Sequence, residues 1–385
     1  NGWHINNADL FNEKALDKSL EDADIILCNP PYEVFSAQER EKYPLISSRS
    51  GSKAIAVLDA AIARKPKALG FVLPRTFLMD KAYNELRKEI ETNYSEVELV
   101  SLPDGVFSVS QIETALLIAR NPNLESNSRH IVASEVADAD KRAFAYTGLP
   151  TISRQETRSD SKQIDGNLWI PPLGPLWSRL ARLPKLGDYF SGHWGIRWNN
   201  RGQSAALAEG PGEHHKLGLL RAHDHRQFKV GAPKWLNIHP DNLYGGGKFD
   251  WSRPKILCNA ARLSRGYWRL AAAVEDNGLV ASQQFIGLWP KEQESSLDLY
   301  AISAILNSPI ANAFMTDHST EKRFRIGSLV SLPIPEKLPE QLGEIARQYC
   351  KSISKFDLRP SRDQQSSELL DEMDELILEA YDLPP

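Results

Sequence analysis

Through the first 120 residues, short apolar runs alternate with segments of helical period. Ile5 to Phe11 and Ile25 to Cys28 predict strands. "SKAIAVLDAAIARKP" (52–66) predicts an amphipathic helix that starts near Ser52 and stops at Pro66. "ALGFVLP" (68–74) reads as a buried strand, "DKAYNELRKEIETNY" (80–94) as a helix, and "EVELVSLP" (96–103) and "ETALLIAR" (113–120) as two more strands. This alternation predicts a parallel α/β sheet whose last strands can turn antiparallel.

The pattern then changes. Residues 121–168 are polar and weakly periodic, and read as a linker or peripheral excursion. "PPLGPLWSRLARLPKLGDYF" (171–190) opens a new unit with a short helix between prolines. From 190 to 335 short strands alternate with Gly- and Asn-rich loops, among them the glycine run of "YGGGKFDW" (244–251). "SSLDLYAISAILNSPIANAFM" (295–315) holds a helix up to Pro309. "SSELLDEMDELILEAYDLPP" (366–385) is an acidic amphipathic helix ended by Pro384, its Leu/Met/Ile stripe a docking face. The expected divisions are 1–125 for the α/β part, 126–168 for a linker or peripheral excursion, 169–335 for a second domain and 336–385 for an acidic helical segment.

Composition narrows the class. A chain of 385 residues with 41% hydrophobic and 25% charged residues suits a soluble protein of two or more domains. It contains neither a membrane-length apolar run nor a signal peptide. Cys28, Cys258 and Cys350 lie too far apart in sequence for a metal or disulfide motif, which fits a reduced cytoplasmic compartment. The net charge of −4 conceals an asymmetry: residues 170–270 hold sixteen Lys and Arg against six Asp and Glu. The same segment holds six of the nine His and six of the nine Trp, the mark of a polyanion-binding module.

Candidate chemistry sits in "DIILCNPPYEVF" (24–35). Pro30 and Pro31 cannot donate to a sheet ladder, so the strand must end there. Ligands of open parallel sheets bind beyond the carboxyl ends of the strands, which is where Asn29 and Tyr32 fall. An amine on an aromatic ring is a poor nucleophile, because its lone pair is delocalised into the ring. The Asn29 side-chain carbonyl and the Pro30 backbone carbonyl could hold such an amine with its lone pair directed outward, while Tyr32 supplies a flat stacking face.

"NPPY" after a buried strand resembles the catalytic motif of S-adenosylmethionine-dependent amino-methyltransferases, above all the DNA adenine-N6 methyltransferases of restriction-modification type. "NNADLF" (6–11) resembles the segment whose acid binds the amino group of the cofactor adenine, which implies that role for Asp9, with Leu10 or Phe11 against the ring and Asn29 also at the cofactor. Residues 56–90 resemble the family's next helix, strand and helix. "LPDGVFSVSQIETALLIAR" (102–120) resembles the loop and strand that stack an aromatic ring on the far side of the target base, which implies Phe107. "LGDYFSGHWGIRWN" (186–199), residues 254–290, an Asn-Ser past a helix and "IGSLVSLPIP" (326–335) resemble target-recognition domains. In such domains phosphate contacts position and a few side chains read bases. Arg197, Arg201, Arg221, Arg262, Arg265, Lys322, Arg323 and Arg325 are the candidates here, while Trp194, Trp198 and Trp268 read as core.

The expectation is therefore an α/β protein: an incomplete Rossmann-like methyltransferase sheet, then an α+β DNA target-recognition domain and a C-terminal helix. The resemblance implies double-stranded DNA as partner, with restriction or specificity subunits, S-adenosylmethionine as cofactor and no metal. It departs from the family where no glycine-rich turn precedes Asn29, and the run Gly245-Gly246-Gly247 reads as a loop. The expectation drawn from this is the C-terminal part of a longer enzyme, inactive in isolation. Two alternatives stay open: a protein glutamine-N5 methyltransferase, which shares the motif, and a non-catalytic DNA-specificity protein.

Overall fold

The computed structural model describes residues 9–11, 16, 18, 20–44, 51–103, 105–107, 112–122, 129–136, 139, 141–148, 152–159, 164–169, 173–199, 206–222, 225–245, 249–263, 268–291, 297–319, 323–353 and 364–384. The chain divides into two units, residues 1–171 and 172–385. Each is a mixture of helices and strands with its own core.

In the first unit the described elements run β1 (Ile25–Cys28), α1 (Ala37–Lys42), α2 (Lys53–Ala63), β2 (Ala68–Pro74), α3 (Asn84–Asn93), β3 (Tyr94–Ser101), β4 (Thr114–Pro122), β5 (His130–Val136), α4 (Lys141–Thr147) and β6 (Ile152–Ser159). The sheet order is β1-β2-β4-β3-β5-β6. β1 lies parallel to β2, β4 antiparallel to β2 and β3, β3 parallel to β5, and β6 antiparallel to β5. The carboxyl ends of β1, β2, β3 and β5 therefore all lie at one end of the sheet. Alternation along β2 buries Leu69, Phe71 and Leu73 in a core shared with Leu58 and Ile62 of α2. Full burial of such a side chain contributes roughly 2 kcal/mol.

Three expectations are corrected here. β1 is not buried on both faces: it is the sheet edge among the described residues, with Ile25 64% and Leu27 79% exposed, Ile26 buried in the core and Cys28 half-buried against it. Residues 9–11 are a turn rather than strand, and 1–8 lie outside the described residues. The segment 126–168 is no linker, since it supplies β5 and β6 to the sheet. β6 reads as polar because an outermost strand needs no second apolar face. Residues 164–169 then return to the core: the buried Arg87 guanidinium on α3 donates to the carbonyls of Gly166 (2.6 Å) and Phe77 (2.7 Å), and the Glu91 carboxylate accepts from Arg158 (2.8 Å) and the Gly166 N–H (3.0 Å). None of these long-range partners shows in local periodicity.

The second unit contains α5 (Gly174–Leu180), α6 (Leu186–Tyr189), β7 (Phe190–Trp194), β8 (Arg197–Trp198), β9 (His215–Leu219), β10 (Lys234–Asn237), β11 (Leu243–Gly245), β12 (Lys255–Asn259), β13 (Ala272–Glu275), β14 (Val280–Ala281), β15 (Phe285–Pro290), α7 (Leu299–Asn307), α8 (Pro309–His318), α9 (Ile326–Val330), α10 (Leu342–Ser352) and α11 (Gln364–Ala380). Its largest sheet is antiparallel, in the order β13-β12-β15-β7. β10-β9-β14 and β11-β8 form smaller sheets.

Pro309 does not end the helical run, as expected from sequence, but restarts it. Ser308 caps α8, its hydroxyl accepting from Ala311 N–H (3.4 Å), and Pro309 takes the first helical position, where its missing N–H costs nothing. At the junction the Asn307 carboxamide accepts from the Ala272 N–H and donates to the Ala272 carbonyl, both at 2.8 Å. It does the work of a missing strand beside β13. The apolar stripe of the C-terminal helix docks on the second unit's core. Tyr349, Met373, Ile377 and Tyr381 are buried in the unit's core, and Tyr381 Oη donates to the Pro333 carbonyl at 2.6 Å. Among the described residues no helix is long and apolar enough to cross a membrane.

Candidate functional site

β1 runs in register with β2 as far as Cys28 opposite Phe71, and the chain leaves the sheet at Asn29. Asn29 is exposed, Pro30 is buried, Pro31 is exposed and Tyr32 is half-buried. Tyr32 Oη donates to Asn29 Oδ1 at 3.3 Å, a long bond that closes the four-residue turn. Burial, with the neighbouring Cys28 second, pushes the Tyr32 phenol up to about 12, so it stays a neutral donor and an uncharged ring at neutral pH. Burial also raises the Cys28 thiol, which keeps a thiolate nucleophile out of the site.

The turn is fastened on its far side. Phe35 N–H donates to the Gly51 carbonyl (3.0 Å), and Lys53 N–H to the Glu33 carbonyl (3.0 Å), at the start of α2. The Lys53 side chain is buried and its ammonium donates to Glu33 (3.0 Å) and Glu39 (2.6 Å). Lys53, with the Ser36 N–H second, pulls the Glu39 carboxyl down to about 2. Sequence reasoning missed this trio. Its one signal is a lysine at the first position of a mostly apolar helix, where the helix dipole disfavours a cation unless acids face it.

Asp9 is exposed and ionised. Its carboxylate accepts from the Tyr43 hydroxyl, from Lys42 (3.1 Å) and from the Phe11 N–H (3.2 Å). The Tyr43 bond first, then Lys42, holds its pKa below the ordinary carboxyl range. Leu10 and Phe11 are half-buried, and Phe11 packs edge-on against Phe35, with ring centroids 5.2 Å apart. Phe35 lies three residues beyond Tyr32, so residues 9–11 and the Asn29–Tyr32 turn are joined through one aromatic contact. Phe107 comes after β3, at the same end of the sheet as Asn29. It sits half-buried against Val100, Leu102 and Val136. β2 and β4 lie between β1 and β3, a span of roughly 14 Å at ordinary strand spacing, so its approach to Tyr32 depends on its loop.

In the second unit the predicted cations fall out unevenly. Arg201, Arg265 and Lys322 lie outside the described residues. Arg323 stacks over the Trp194 ring at 5.1 Å and donates to the Gln283 carbonyl at 2.6 Å. Arg197 lies over the Tyr244 ring at 4.6 Å. An isolated bridge between Ala261 and Arg323 brings the backbone of Arg262 beside that of Arg323, and Arg325 stands at the start of α9. Arg221 is exposed on a separate loop after β9. Trp198 is core, as read, but Trp194 and Trp268 are 36% and 49% exposed, which corrects the reading of all three as core.

No family model matches the chain. A curated protein of Methanocaldococcus jannaschii, named as a type II restriction enzyme and methyltransferase, is 26% identical over 149 residues, covering 37% of this chain and 12% of that protein. The type IIL restriction-modification enzyme MmeI, solved in complex with DNA, matches with a TM-score of 0.60 at 11% identity, covering 99% of this chain and 57% of that one. A nuclease-deletion mutant of the type ISP restriction-modification enzyme LlaGI, solved with a DNA substrate mimic, gives a TM-score of 0.53 at 13% identity, covering 91% of this chain and 44% of that one. This chain thus spans about an eighth of the curated relative and about half of each structural relative. The likeness is one of fold: this chain shares the mixed α/β architecture of restriction-modification enzymes.

Proposed function

We propose that the chain carries the catalytic turn and the target-recognition part of a DNA methyltransferase, one that moves a methyl group from S-adenosylmethionine to N6 of a flipped adenine within a restriction-modification or related defence system. The observation that carries this reading is the Asn29–Tyr32 turn. An exposed carboxamide stands at the carboxyl end of a strand, bonded to a neutral phenol and stiffened by two prolines. Such a site offers hydrogen-bond acceptors and a ring face, and no nucleophile of its own.

Asn29 Oδ1 and the Pro30 carbonyl accept from the two hydrogens of the adenine amine, which turns its lone pair out of the ring plane. Pro31 fixes the backbone between them and Tyr32. The Tyr32 ring takes one face of the base and Phe107 the other. Flipping costs roughly a few kcal/mol, and stacking on an aromatic side chain is worth roughly 1–3 kcal/mol per base, so two rings suffice. The proton released from N6 passes to water.

The residues present fit the adenosine end of the cofactor. A carboxylate has about four lone-pair sites, and Asp9 has three partners among the described residues, so it can also accept from an exocyclic amine. Leu10 and Phe11 stand beside it as apolar walls, and Phe11 packs on Phe35, six residues beyond Asn29. When bound, the cofactor supplies an electrophilic methyl group. Among the described residues β1 is the outermost strand, which leaves its outer backbone groups for a further strand, and the exposed Ile25 and Leu27 leave its face for an apolar cover.

DNA as substrate is supported by the excess of ten positive charges in residues 170–270 and by Arg197, Arg221, Arg262, Arg323 and Arg325 in one unit. The test is binding to short duplexes, with and without an abasic site opposite thymine, across a salt series. Tighter binding to the abasic duplex in one sequence context is expected, because the flipping cost is already met there. Equal binding to all duplexes with a steep salt dependence would reduce the protein to a generic polyanion binder. Binding to none would overturn the DNA reading in favour of a protein amide as methyl acceptor.

A further inference from the structure

The turn between β14 and β15, residues 282–284, is the point on which the second unit's scattered arginines converge. Gln283 N–H donates to the Ile196 carbonyl (2.8 Å), one residue before Arg197. Ala222 N–H donates to Gln284 Oε1 (3.0 Å), one residue after Arg221. Ala260 N–H donates to the Gln284 carbonyl (2.7 Å), two residues before Arg262. Arg323 donates directly to the Gln283 carbonyl (2.6 Å). At 3.8 Å between consecutive Cα atoms, each of the four arginines is therefore rooted within about 8 Å of an atom bonded to this turn. Arg197, Arg221, Arg262 and Arg323 are separated by up to 126 residues of sequence, and these bonds bring them together.

The two glutamines at the centre are not equivalent. The Gln284 side chain is committed, since its Oε1 holds the Ala222 loop. The Gln283 carboxamide is half-exposed and bonds to no other described residue, while both of its peptide groups are occupied. Its base is rigid for a turn. Ser282 Oγ donates to the Leu220 carbonyl (2.6 Å) and accepts from Gln284 N–H (3.2 Å), and Gly195 passes so close that a Cβ there would meet the Ser282 carbonyl at 2.0 Å. A carboxamide presents one acceptor and one donor side by side, which matches adenine N6 and N7 in the major groove. Guanidinium groups around it match phosphates, and the Arg323–Trp194 and Arg197–Tyr244 pairs fix two of these cations over exposed rings.

Resting on the DNA reading above, we infer that Gln283 is a base-reading residue: its carboxamide recognises an adenine edge in the recognition sequence, and the surrounding arginines hold the flanking phosphates. The adenine it reads is a recognition base and not the one held at Asn29.

The experiment is selection from randomised duplexes by the full chain, by Gln283→Ala and by Gln283→Arg. Because Gln283 bonds to the described residues through its peptide groups, both variants keep those bonds. The wild-type chain should prefer A·T at one position. Gln283→Ala should lose that preference, by roughly tenfold to a hundredfold, with the salt slope unchanged. Gln283→Arg should shift the same position to G·C, since a guanidinium pairs with guanine O6 and N7. Retention of the wild-type preference in both variants would overturn the inference and leave DNA binding standing. So would wild-type binding with no base preference. Absence of binding by all three would remove the DNA reading and this inference together.

Discussion

The tetrapeptide Ile-Leu-Cys-Asn occurs twice, at 26–29 at the end of β1 and at 256–259 at the end of β12. In the first copy Leu27 is exposed and Asn29 stands open at the edge of the sheet. In the second all four residues are buried. Asn259 Nδ2 donates to the carbonyls of Ala261 (2.6 Å) and Arg269 (2.8 Å), and its Oδ1 accepts from Ala271 N–H (2.7 Å). One asparagine holds the fold together, and the other stands exposed with a single long bond from Tyr32 among the described residues. The difference lies in the next residue and in the flanking strands. Pro30 takes the chain out of the ladder after Asn29, whereas β13 and β15 enclose β12 on both sides. Four letters thus fix a strand but leave its neighbours, and so the asparagine's task, undetermined.

The comparison can be broken by experiment. The largest effect belongs to Asn29→Ala in the natural enzyme: methyl transfer to duplex DNA should fall roughly a hundredfold to a thousandfold, as when one preorganised hydrogen-bonding group is removed, with thermal stability unchanged. A loss of stability in place of activity would make the two asparagines alike. Asn259→Ala should do the reverse. It leaves a buried N–H and two carbonyls unmet and should cost the second unit about 3 kcal/mol, measured by denaturant unfolding, with DNA selectivity retained in the folded fraction.

A smaller, pH-dependent effect sharpens the contrast. His225 Nε2 bonds the Ala271 carbonyl (3.2 Å), the same residue whose N–H Asn259 holds, and burial pushes the imidazole down to about 4. A histidine whose folded pKa lies below its unfolded 6.5 stabilises the fold above that value and loses this as pH falls towards 4. Unfolding free energy at pH 5.5 should be lower than at pH 7.5 by about 1.4 kcal/mol through this group, and His225→Leu should flatten the slope. Asp374, raised to about 6 by burial and then by Asp371, acts in the opposite direction, so the measurement belongs in an Asp374→Asn background.

The first unit was legible where order is local. α2, β2, α3, β3 and β4 are set by apolar period and proline stops within a few residues of their ends. The Asn29–Tyr32 turn is announced by two prolines alone. What escaped depends on distant partners. β6 is polar because it is the outermost strand among the described residues, Arg87 and Glu91 sit on the core side of α3 because Arg158 and Gly166 meet them there, and Lys53 is buried beside Glu33 and Glu39. In the second unit charge marks each arginine separately. Their meeting point at Gln283 is written largely in backbone bonds, which carry no residue-type signature.

The proline after Asn29 has a consequence for the chemical ageing of the protein. An exposed asparagine normally loses its carboxamide when the next backbone nitrogen attacks the side-chain carbonyl and closes a succinimide ring. Pro30 has no N–H to make that attack. The group on which the proposed chemistry depends is thereby shielded from slow hydrolysis, although water reaches it freely. No such protection exists at exposed Asn277, followed by Gly278 with its φ of +75°. In protein stored for weeks, deamidation should accumulate at that turn while the asparagine at the end of β1 stays intact.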